Sequence, residues 1–165
     1  MRVGREGRFQ GLASAFRACH REPLNAVLHL LTTPLGLLCF LSLLWRVDPA
    51  APLALVAAYL VSLLVVLPWR LWAVTALVLA LLLYMSWDLA LGLPASLAGL
   101  AICYFGQDLA HYLTGEPTFQ SGYEKRPSWL RQLLEHTYYL LPLCLDAARR
   151  SSSGSPPRAD CFARA

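Results

Sequence analysis

The sequence predicts an all-α protein: an integral membrane helical bundle with four spanning helices and a fifth helix that is re-entrant or interfacial. Three observations carry this. Hydrophobic residues make up 57% of the 165-residue chain and charged residues 15%, whereas a soluble domain carries about 25% charged residues. Asp, Glu, Lys and Arg are absent from 23–45, 49–69, 71–87 and 89–107, gaps of 23, 21, 17 and 19 residues. A spanning helix needs about 17–25 apolar residues. Finally, the four histidines avoid the two middle gaps.

Residues 1–19 read as a basic arm, with Arg2, Arg5, Arg8 and Arg17, ending as a short interfacial helix. Residues 20–148 form a single helical membrane domain. Pro23 suits the first turn of its first helix, where a missing N–H costs nothing. That helix runs to about Trp45, and Arg46 to Ala50 form a turn. A second helix covers about 52–67, broken at Pro68-Trp69-Arg70; Trp69 and Trp72 suit a membrane interface. A third covers about 71–86. Gly92 and Pro94 make the next turn, and a fourth helix runs from about Ala95 to Leu113. Gly115 and Pro117 stop it. A polar loop over 114–129 leads to a last helix at about 128–147, interrupted by Pro142. Residues 149–165, rich in Ser, Pro and Arg, read as a disordered tail.

The net charge of +4 comes from thirteen Arg and one Lys against ten acids. The basic arm, Arg70, and the segment with Lys125, Arg126 and Arg131 alternate so as to share one side. The positive-inside rule places that side in the cytosol. His20, His29 and His111 then share the cytosolic face, and His136 joins them if the last helix dips in from there. The arginines form no stripe interleaved with aromatics, so no nucleic-acid partner is expected. Five cysteines without a Cys-x-x-Cys pair argue against a disulfide framework or a zinc–thiolate site.

The polar groups of the domain concentrate at that face. Asn25 and His29 are four apart; so are Gln107 and His111, with Asp108 three before His111. Each pair shares a helix face. Ionisable groups in spanning segments face a bundle interior or a wet cavity. Neutral imidazole ligates iron, zinc and copper, and Asp108, Glu116 or Glu135 can add an oxygen ligand or orient a histidine. His-Glu-x-x-His, Gly-x-Ser-x-Gly, P-loop and Gly-x-Gly-x-x-Gly motifs are absent, which excludes zincin, serine-hydrolase and nucleotide-binding readings. Di-iron hydroxylases need more histidines, in His-x-x-His boxes. Four suit a mononuclear site, such as Fe(II) with positions open for O₂ and a chelating substrate.

Ala18-Cys-His-Arg-Glu-Pro-Leu-Asn-Ala-Val-Leu-His29, Pro34-Leu-Gly36, Gln107 through Glu116, and His136-Thr-Tyr-Tyr-Leu-Leu-Pro142 together resemble the small endoplasmic-reticulum family of 2-hydroxy fatty acid dioxygenases. That family, formerly a domain of unknown function, acts in phytosphingosine breakdown. The resemblance covers about 15–147, and His-x₄-Asn-x₃-His is its most specific part. It implies a multi-pass endoplasmic-reticulum protein that uses Fe(II) and O₂ to shorten a long-chain 2-hydroxy fatty acid by one carbon. His20, His29, His111 and His136 would be metal ligands. Asn25, Gln107 and Asp108 are the candidate catalytic residues, with Arg21 and Glu116 on the substrate. The chain departs from the family's better-known branch in having Ala110-His111 where that branch has Gly-His. Two other readings are a non-catalytic multi-pass protein that binds lipid or assists assembly, and haem held between helices one and four.

Overall fold

The computed structural model describes residues 2–118 and 129–151. Most of the polar loop expected over 114–129, and the expected tail beyond 151, lie outside them. The described residues form six α-helices and no strand: α1 (Arg2–Ala18), α2 (Pro23–Val47), α3 (Ala50–Leu64), α4 (Trp69–Leu89), α5 (Leu93–Thr114) and α6 (Trp129–Ser151). The all-helical expectation holds. Two helices, α2 and α4, are long and apolar enough to cross a membrane. The four-span expectation goes further than that. Helix α3 is apolar but has 15 residues, fewer than the ~20 that cross a bilayer upright, and α5 ends in the polar run from Gln107 to His111.

Short connections fold α3 back on α2 and α4 back on α3, the usual outcome of short helix–helix links. Pro23 sits in the first turn of α2. Asp48 ends α2 and bonds the backbone N–H of Ala50 through Oδ1 at 2.7 Å. Pro68 precedes α4, and Ala90 ends it in the left-handed region at φ 43°. Gly92 and Pro94 open α5, and Gly115 closes it at φ 66°, where glycine has no Cβ to clash.

Helix α5 packs chiefly on α2. The seam is made of small residues. A Cβ on Gly36 would stand 3.4 Å from Cys103 Cβ, one on Gly106 would stand 3.5 Å from Thr32 Cγ2, and one on Gly99 would collide with Cys39 Sγ. Small residues let two helix backbones approach closely, as in GxxxG-type membrane pairs. Here they bring His29 and His111 level.

The stretch expected as a basic arm is a full helix. Phe9, Ala13 and Phe16 recur at helical spacing and are buried with Leu63, Leu67, Leu71 and Leu143. A second core layer holds Leu38, Leu41, Val56, Leu79, Leu82 and Leu141. Helix α1 is pinned to α6 by Asp146, whose side chain is 2% exposed and takes Arg17 Nη1 at 2.6 Å. Arg150 Nε and Arg149 Nη2 also reach it, at 3.2 and 3.3 Å. A carboxylate this buried holds its charge only while paired. Asp146→Ala leaves the partly buried Arg17 without this partner and is expected to cost about 2–3 kcal/mol. Thermal unfolding in detergent measures the loss, and Asp146→Asn is expected to recover part of it.

Cys39, Cys103 and Cys144 are free and buried, as small apolar side chains in helix contacts often are.

A candidate metal centre

Three helices deliver the histidines. His20 lies in the four-residue link between α1 and α2, His29 two turns into α2, and His111 in the last turn of α5. All three are buried. Ring centroids are 4.3 Å apart for His20–His29, 4.8 Å for His20–His111 and 5.0 Å for His29–His111. One potential ligand atom from each lies within 4.8 Å of the others. A metal bound at ~2.0–2.1 Å from each nitrogen would draw them to ~3.3 Å in a tetrahedral arrangement. Small side-chain rotations cover that difference.

The hydrogen bonds decide which nitrogen is offered. His20 Nδ1 lies 2.7 Å from the Phe16 carbonyl, and His29 Nδ1 lies 3.1 Å from the Asn25 carbonyl. A carbonyl only accepts, so both Nδ1 atoms carry the proton. Each Nε2 keeps its lone pair, the arrangement that orients metal-ligating histidines. His20 Nε2 is buried with no hydrogen-bond partner. Burial, reinforced by the neighbouring His29, pushes the His20 pKa down to about 2. The ring is therefore neutral, which is the ligating form. Phe16 stacks on His20 with centroids 3.9 Å apart, meets His29 edge-on and lies tilted against His136, so α1 covers one side of the site.

Glu116 holds the assembly together. Beyond the Gly115 turn, its Oε1 accepts the backbone N–H groups of Arg21 and Glu22 at 2.6 and 3.1 Å, and its Oε2 accepts Asn25 Nδ2 at 2.7 Å. Those donors sit at the start of α2, which has no side-chain cap of its own. A carboxylate there satisfies orphan N–H groups and meets the positive end of the helix. Asn25 also reaches the Cys19 carbonyl at 3.4 Å and His111 Nδ1 at 3.2 Å. Glu116 and Asn25 thus tie α5, the link and α2 into one rim. Glu116→Ala is expected to weaken metal binding about 10–100-fold, the effect of losing a group that orients ligands. Competition with a fluorescent chelator measures it.

The expected site residues divide into three groups. His20, His29, His111 and Asn25 converge. His136 lies beside them, its ring 5.9 Å from Phe16, outside the set of three. Gln107 sits one turn from His111 and donates to Thr33 Oγ1 at 3.1 Å. Asp108 is on the exposed side of α5, three residues before His111. Arg21 meets Glu116 through its backbone, and Glu116 is occupied with the helix start, so their substrate role has no support in this geometry. The close, T-shaped rings of His29 and His111 leave no gap for a porphyrin between α2 and α5. Phe16, Asp146 and the seam glycines were not singled out. Gly99, Cys103, Gly106 and Ala110, at four-three-four spacing, were the legible signal for the seam.

No family model, curated protein or solved structure matches this chain.

Proposed function

We propose that the chain is a multi-pass membrane protein with a mononuclear Fe(II) centre, which uses O₂ to shorten long-chain 2-hydroxy fatty acids by one carbon. The observation that carries this is the buried trio His20, His29 and His111, drawn from three separate elements, with two rings bonded through Nδ1 to backbone carbonyls so that Nε2 is the nitrogen left to ligate. A neutral three-nitrogen set leaves the ion's charge uncompensated. An α-hydroxy carboxylate supplies both the missing negative charge and two chelating oxygens. With O₂ as sole oxidant the reaction balances as RCH(OH)COOH + O₂ → RCOOH + CO₂ + H₂O. No 2-oxoglutarate is needed.

The protein's own contributions are positional. The Phe16 carbonyl and the Asn25 carbonyl hold two ligands in one tautomer. Phe16 keeps water from the side it covers, and Glu116 with Asn25 fixes the distance between α2 and α5. The membrane reading is supported by exposure. The most apolar windows of α2 and α4 are only 33% and 28% buried, whereas the core helix of a soluble protein is mostly buried. Leu31, Val61, Leu77, Ile102 and Leu113 are among the large apolar side chains that face outward. In the four-span reading α3 and α5 cross as well, and the positive-inside rule supports a histidine rim on the cytosolic face of the endoplasmic reticulum.

The test is turnover. Protein purified in detergent with Fe(II) under low oxygen receives a long-chain 2-hydroxy fatty acid and then air. The acid one carbon shorter is the expected product, formed only with iron. Bound metal without product would mean another substrate. Neither metal nor product would favour a non-catalytic lipid-binding or assembly role.

A further inference from the structure

An apolar cavity of about 540 Å³ opens beside the histidines, over the face of α2 and between α3, α5 and α6. Its size is within the ~300–1,000 Å³ of ligand pockets. Three features describe its occupant. No charged residue lines it, and its walls are chiefly Leu, Val and aromatic side chains. Hydrophilic groups gather at the end toward the histidines: Thr32, Thr33, Gln107 and Thr137. Thr33 is one turn past His29, Gln107 one turn before His111, and Thr137 is next to His136. The far end, at Leu41 and Leu100, lies about 17 Å down the bundle from the histidines at 1.5 Å per residue. Lastly, the rim is open sideways: Phe40, Leu55 and Tyr104 line the cavity and are also exposed on the outer surface of the helices.

We infer that this cavity is a lateral entrance for one acyl chain, taken from the bilayer between α3 and α5 with its polar head drawn up to the Thr33–Gln107 pair. The inference rests on the proposed membrane setting and deepens the proposed reaction by naming where the chain lies. Gln107 Nε2 and the Thr33 hydroxyl, bonded to each other in the structure, are the first donors that an incoming carboxylate meets. Leu41 and Leu100 close the floor and set the longest chain that fits. Phe40, at the rim, is the gatepost.

The test uses the full chain in lipid nanodiscs and a long-chain fatty acid with a diazirine at mid-chain. After irradiation, labelled residues are mapped by mass spectrometry. Label at Leu41, Val56 and Leu100 is expected. Leu100→Trp fills the floor and is expected to lower that labelling about tenfold, the loss for about two displaced methylenes. Phe40→Ala widens the rim and is expected to speed labelling; Ile102→Trp, on the outer face of α5, is expected to leave it unchanged. Label confined to outward residues such as Ile102 and Leu109, or cavity label indifferent to both Leu100→Trp and Phe40→Ala, would overturn the inference. The His29→Ala protein separates the two proposals. Cavity label kept while iron is lost shows that the entrance stands apart from the metal. Cavity label in a wild-type protein that never holds iron sinks the oxygenase and leaves the entrance. Iron with outer-face label alone does the reverse.

Discussion

His29→Ala is expected to lower Fe(II) affinity at least about 100-fold, beyond the 10–100-fold of losing an orienting group, with helix content unchanged. The same holds for His111→Ala. The reason is the number of ligands: three imidazoles meet in one buried space, and two cannot enclose an ion that water would otherwise hold. Both rings stand at the rim rather than in the two main core layers, so truncation leaves those layers intact. Metal analysis after gel filtration and far-ultraviolet circular dichroism give the two readouts. His136→Ala, outside the trio, is expected to keep the metal. Stoichiometric iron in the His29→Ala or His111→Ala protein would remove the trio as the metal centre.

Gly99→Ala is expected to destabilise the bundle by about 1–3 kcal/mol, the usual cost of overpacking a close contact. The new Cβ would collide with Cys39 Sγ and also meet Cys39 Cβ at 3.7 Å, so the thiol has to move in a tight seam. Cys39→Ala removes the sulfur and, combined with Gly99→Ala, is expected to restore most of the loss. Such recovery between two contacting positions is the mark of direct coupling. The seam also sets how near α5 stands to α2, so Gly99→Ala alone is expected to weaken metal binding. Thermal unfolding and chelator competition on the four proteins of the cycle test both statements. A single variant as stable as the parent would show that the helices have slack at this point.

The all-helical class and the approximate helix limits were legible because charge-free gaps and Pro–Gly breaks mark them. The convergence of His20, His29 and His111 was legible too, from alternation of direction alone. Asp108 stands three before His111 yet is exposed, because i,i+3 spacing fixes a face only loosely. The face that meets α2 is fixed by Gly99, Cys103, Gly106 and Ala110, and Asp108 falls off that line. Helix α1 was hidden by its arginines: they mask the Phe9, Ala13, Phe16 stripe that buries against α6. Glu116 was read as a substrate group because spacing within α5 carries no record of a helix start 94 residues earlier in the chain.

That separation has a consequence for how the protein is made. The opening turn of α2 leaves the ribosome early, yet the carboxylate that satisfies its N–H groups is translated 95 and 94 residues later. Until then those groups have only water or headgroups as partners. Pairings of such long sequence separation form late, after the closure entropy of the intervening chain has been overcome. Helix content is therefore expected to appear well before metal competence during synthesis. A nascent chain halted just before Glu116 already holds His20, His29 and His111 but lacks the carboxylate that ties their elements together, so the site waits on that one residue.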